Sequence, residues 1–180
     1  GMPQLPALYA KLDAKLDELG CKGLVDKVFT TQYFDVSQYD DGTTCTGQTP
    51  LEKAANTDPE GTVYDGFSQS EHQWAHDVVS PGINNAVKAG ATAAYAHGGP
   101  TWTVVDGIAE RYNKHGYCAK DRWVRQLMES FAYQRDKNGA FHPNAEGHLY
   151  GYGMRIEEVA APVLDIARLF ADEGDPCRGR

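Results

Sequence analysis

The run Phe141-His142-Pro143-Asn144-Ala145-Glu146-Gly147-His148 puts a histidine directly before a proline. Proline at the first position of a helix gives up an N–H that would have had no partner, and its φ is already helical. The run therefore predicts a helix opening at Pro143, with His142 at its positive end, where the dipole disfavours imidazolium. A neutral imidazole held there can take a proton from a hydroxyl nucleophile. On residue types alone, a surface His-Pro turn accounts for the run equally well.

Other residues invite the same question. Gly66-Phe67-Ser68-Gln69-Ser70 nearly matches the nucleophile elbow Gly-x-Ser-x-Gly, and it follows the β-prone Thr62-Val63-Tyr64. Ser70 replaces the final glycine, so Ser68 or Ser70 reads first as a helix N-cap, with Glu71 and Gln73 supporting the first turn. Ser68 as nucleophile is the minority reading. His72 and His76 stand at i, i+4, a spacing that suits a metal-ligand pair. Gln73 occupies the place of the zincin glutamate, so the pair reads as a surface helix. His97, beside Gly98-Gly99, reads as a solvated turn residue, and His148 as a packing or hydrogen-bonding residue inside the last helix.

Four cysteines permit two disulfides. Cys45 and Cys118 each follow a predicted strand by several residues, and if those strands are neighbours their loops meet, which favours a bridge. Cys21 and Cys177 are candidates for a second. Disulfides imply export. Zinc competes for Cys and His, but there is no Cys-x-x-Cys pair and His115 is only loosely placed.

These residues must be positioned by helices and strands. Leu8, Leu12, Leu16 and Leu19 recur at helical spacing after Pro6, which predicts an amphipathic helix over 6–19. Residues 26–34 read as a buried strand and 101–105 as a second. Between them, residues 35–68 form a long loop, and Trp74 to Ala91 a helix kinked or broken near Pro81-Gly82. Ile108 to Tyr112 suggests a short helix. Trp123, Leu127 and Phe131 suggest a longer one. The last helix, from Pro143, shows Ile156, Val159, Val163, Ile166 and Phe170 on one face, kinked at Pro162 and softened by Gly147, Gly151 and Gly153.

That order is α/β, with parallel strands and helical crossovers. Asp35 and Asp106 fall at or beyond the strands' C-terminal ends, where ligands bind in open α/β sheets, and both also suit capping, the preferred role for Asp106. Tyr33, Phe34, Tyr39 and Trp74 are candidates for an apolar wall or simple core. Two parallel strands are too few for a stable sheet. Either strands lie hidden in 35–68, or the Lys27–Phe34 edge meets another chain or a missing part of the fold.

At 180 residues, with 41% hydrophobic and 23% charged content, the chain suits one globular domain. Its net charge of −8 argues against a nucleic-acid surface. No apolar run is long enough to span a membrane and no signal peptide is visible. Gly1 before Met2 reads as a tag scar.

The His-Pro-Asn-x-x-Gly-His block resembles the last sequence block of the SGNH (GDSL-type) esterases and lipases, whose first histidine is the catalytic base. Further matches follow in family order: Lys27 to Asp35, Asp41-Gly42-Thr43-Thr44-Cys45, the Trp74 to Val87 helix, Trp102 to Ile108, and His115-Gly116-Tyr117-Cys118. Together they cover most of 5–170. The family's Gly-Asp-Ser nucleophile block is missing, and so is its Gly-x-Asn-Asp oxyanion block. Gly82-Ile83-Asn84-Asn85 looks similar but falls within the helix.

The resemblance implies a three-layer α/β/α, flavodoxin-like fold of which this chain is a C-terminal portion. It implies a secreted or cell-envelope parent that hydrolyses carboxylic esters without metal or organic cofactor. A serine from the missing half would attack the ester while His142 takes its proton. The family often orients this histidine with an aspartate three residues earlier, where Gly139 stands here. Asp136 reaches only if the loop folds over, and the carbonyl of Gly139 or Ala140 is the remaining choice. Alone, the chain is expected to be inactive or nearly so. The alternatives are an in-chain nucleophile at Ser68, or a non-catalytic structural or partner-binding module.

Overall fold

The computed structural model describes residues 4–18, 27–47, 53–54, 56–57, 59–61, 68–95 and 100–164. In chain order the elements are α1 (Leu5–Glu18), β1 (Lys27–Thr31), α2 (Gln69–Trp74), a π-helical turn (Ala75–Val79), α3 (Ser80–Tyr95), β2 (Thr101–Val105), α4 (Ile108–Arg111), α5 (Leu127–Gln134), a second π-helical segment (Gly147–Gly153), α6 (Met154–Ala160) and a 3-10 turn (Ala161–Val163). The chain divides into two compact units. One holds Gly1–Gln32, Gly82–Asp106 and Arg155–Arg180, and the other Tyr33–Pro81 and Gly107–Met154.

In the first unit β1 and β2 pair in parallel, Lys27 opposite Thr101 through Thr31 opposite Val105. Both expected strands are present and they are neighbours, which makes the fold mixed α/β with a small parallel sheet. The first strand is shorter than expected. Gln32 still donates its N–H to the Val105 carbonyl at 3.1 Å, but from Tyr33 onward the chain belongs to the other unit. The buried centre is Ala91, Ala94 and Trp102, with Tyr9, Val28 and Val104 packed on it.

Helix α1 leaves Leu8 and Leu12 of the leucine stripe in solvent, with Leu16 half-buried and Leu19 outside the described residues. Leu8 and Leu12 are 58% and 47% exposed, while the adjacent stripe, Tyr9 and Asp13, faces inward. Trp102 decides this. Its ring stacks on Tyr9 with centroids 4.9 Å apart, and its buried indole N–H donates to Asp13 Oδ1 at 3.1 Å. A buried indole needs such an acceptor, and Asp13 on this stripe supplies it.

In the second unit Cys45 and Cys118 form a disulfide, as their loop positions suggested. The strand-like backbone alongside it is a single antiparallel bridge, Gln38 to Thr44, closed by a turn through Gly42 at φ 84°. Phe34 stacks on Tyr112 at 4.3 Å, and Tyr152 meets both rings edge-on. Phe34 is therefore core, whereas Trp74 is exposed.

Three helix boundaries differ from expectation. The expected kink or break near Pro81-Gly82 falls just upstream: Pro81 lies in α3, and the α-helical ladder is interrupted at Ala75–Val79. Proline has no N–H for the Asp77 carbonyl and its ring crowds that oxygen. The turn widens, and the Ser80 N–H reaches back to the Ala75 carbonyl. Trp123 is not helical, because Val124 is drawn into an antiparallel bridge with Pro143. For the same reason the last helix does not open at Pro143. It opens at Ala145, capped by Asn144, whose Oδ1 accepts the Gly147 N–H at 2.9 Å. Helix α6 ends at Ala160 in the 3-10 turn that holds Pro162. Ile166 and Phe170 lie outside the described residues, as do His97, Cys21, Cys177 and Thr62 to Phe67.

Candidate functional site

The His142 segment is held from both sides by 122–125. Arg125 donates its N–H to the His142 carbonyl at 2.8 Å, and Phe141 donates to the Arg125 carbonyl at 2.9 Å. Asn144 donates its N–H to the Trp123 carbonyl and its Nδ2 to the Arg122 carbonyl. Phe141 takes φ 65°, an unfavourable conformation for a bulky residue, and its ring stacks on Tyr117 at 4.4 Å. His142, next along the chain, is exposed.

Of the proposed orienting groups, the Gly139 carbonyl and the Asp136 carboxylate are both engaged by other donors. The Gly139 carbonyl accepts the backbone N–H of His142 at 3.2 Å. Asp136 forms a turn of its own, with Oδ1 accepting from the Asn138 N–H at 2.8 Å and Gln134 Nε2 at 3.0 Å.

A carboxylate-held imidazole occurs elsewhere in the same unit. Asp35 Oδ2 lies 2.5 Å from His76 Nδ1. A carboxylate can only accept, so the proton sits on Nδ1 and a neutral ring keeps its lone pair on Nε2. Asp35 also accepts from the Ser37 N–H at 2.8 Å and from Gln38 Nε2 at 3.2 Å. The surface-helix reading of His72 and His76 is corrected: His72 is 4% exposed, and His76 is bound to Asp35. Their i, i+4 spacing was visible, but the partner stands 41 residues away and carried no local signal.

His72 lies with Cys45 and Cys118 in a buried cluster whose ligand atoms are all within 4.8 Å of one another. The two sulfurs are bonded to each other. A disulfide offers no thiolate, so in this state the cluster presents one imidazole and no zinc set.

Ser68 is an N-cap. Its Oγ accepts the Glu71 N–H, the Glu71 carboxylate accepts the Ser68 N–H at 2.7 Å, and the hydroxyl donates to the same carboxylate at 2.8 Å. Asp106 does not cap α4; Gly107, at φ 78°, fills that position. Asp106 instead accepts from Arg155, its carboxylate from Nη2 at 2.8 Å and its carbonyl from Nε at 2.7 Å. That ion pair holds the guanidinium above its usual range. His115 stacks on Trp123 at 3.9 Å with Nδ1 on the Asp121 carbonyl.

Among the described residues no helix is long and apolar enough to cross a membrane. Comparison with family models, curated proteins and solved structures returns no match to this chain.

Proposed function

We propose that this chain carries the histidine base of a serine-type carboxylic ester hydrolase of the SGNH kind, with His142 acting on a serine from another segment. One observation carries the reading: each residue type in the His-Pro-Asn-x-x-Gly block has a task around an exposed imidazole. Pro143 makes the bridge to Val124, Asn144 caps the helix, and Gly147 leaves room for the Trp123 carbonyl and the Tyr112 hydroxyl. Strained Phe141 adjoins His142, and such strain clusters at functional sites.

The nucleophile-bearing part would add strands beside β1. Among the described residues a two-stranded parallel sheet with half-buried β1 side chains, together with exposed Leu8 and Leu12 on α1, supports a larger assembly, either with the rest of an SGNH domain or with a second copy through 27–34. The disulfide is compatible with a secreted or cell-envelope protein.

The test joins this chain to a segment bearing a Gly-Asp-Ser block and follows release of p-nitrophenol from short acyl esters. Loss of a positioned general base costs about 10²–10⁴-fold, so His142→Ala should lower kcat by that factor. Full activity in His142→Ala defeats the assignment.

A further inference from the structure

Asp35 and His76 play no part in the His142 site, yet they form an imidazole–carboxylate pair at 2.5 Å. The geometry points to a second proton-transfer site, in which His76 Nε2 is a general base toward small acyl esters and Asp35 is its positioning residue. The inference rests on the preceding reading for its substrate class alone; the pair itself stands on its own geometry.

Three features fit a base. Nδ1 is engaged by the carboxylate, which directs the lone pair of the neutral ring to Nε2. The Asp35 side chain is 11% exposed and anchored by Ser37 and Gln38, so it holds the ring against rotation. The His76 side chain is 40% exposed, open enough for water and an ester to reach it. His115 lacks this combination: one face is covered by Trp123 and its Nδ1 lies 2.7 Å from a backbone carbonyl.

In the step, a water oxygen bonds to the acyl carbon while Nε2 removes its proton. The tetrahedral adduct expels the alkoxide, and the imidazolium returns the proton to the leaving oxygen. One ester and one water give one acid and one alcohol, with no other reactant.

The test uses this chain alone. Long-range ¹H–¹⁵N spectra of the imidazoles should show His76 mostly as the Nδ1–H tautomer, and Asp35→Asn should redistribute it. Hydrolysis of p-nitrophenyl acetate should fall at least fivefold in His76→Gln and in Asp35→Asn, and stay unchanged in His148→Ala. An Nε2–H tautomer in the parent chain would overturn the inference, and so would a folded His76→Gln protein hydrolysing at the parent rate. No serine segment is present in this assay, so failure of the His142 assignment leaves both readouts intact.

Discussion

Gly151 lies against the ring of Tyr112, so close that a Cβ on the glycine would come within 2.7 Å of Cζ and 2.9 Å of the hydroxyl oxygen. Both residues are buried. The missing side chain is therefore space that the phenol occupies. Gly151→Ala should destabilise the protein by about 1–3 kcal/mol through overpacking. Gly82, whose Cβ would meet nothing within 4 Å in α3, should respond oppositely. There alanine should stabilise by about 0.5–1 kcal/mol. Urea midpoints of the two variants check both signs.

The Tyr112 hydroxyl has no hydrogen-bond partner among the described residues. Burial pushes its ionisation well above the ordinary phenol range, with Tyr152 and Tyr33 adding to the shift. Tyr112→Phe removes an unsatisfied group that costs about 1–3 kcal/mol, so the variant should match or exceed the parent in stability. The sign of the pH effect follows from the raised value. Stability is intact below the unfolded phenol's value near 10 and falls as pH rises beyond it. Thermal melts between neutral and strongly alkaline pH should show a shallower decline in Tyr112→Phe.

Asp40 works at the other end of the scale. Its carboxylate accepts the Lys120 N–H at 2.9 Å and the Asp121 N–H at 3.1 Å, and these bonds hold its ionisation below the ordinary range. A depressed value means the stabilisation is present above the unfolded carboxylate's value, about 3.9, and is lost as pH falls through the folded one. Asp40→Asn should be less stable at pH 7, and the difference should shrink on acidification. Parallel denaturation curves at pH 7 and pH 3 measure it.

The Cys45–Cys118 bridge closes a separation of 73 residues. On the chain-entropy model such a loop contributes about 4 kcal/mol. Reduction, or replacement of both cysteines by serine, should lower the urea midpoint accordingly. An unchanged midpoint would mean that the reduced chain keeps this loop closed by other contacts.

Leu127 to Gln134, Lys27 to Thr31 and Thr101 to Val105 were legible because short-range patterns specify them: helical spacing in the first case, runs of β-branched and aromatic residues in the others. The Ser68 cap was legible for the same reason, since Glu71 lies one turn away. The opening of the last helix was not. Pro143 suits a first helical position, but its pairing with Val124, distant in sequence, extends the backbone there and hands the cap to Asn144.

What the sequence determined by itself was the element order, the parallel pair of strands, the Cys45–Cys118 candidates and the residue types around His142. Tertiary structure alone decided that α1 turns Tyr9 and Asp13 inward while Leu8 and Leu12 face solvent, and that Asp35 holds His76. The physical reason is common to both. A buried indole N–H and a buried carboxylate must each find a partner. Those partners, 89 and 41 residues away, are brought within reach only when the chain has folded.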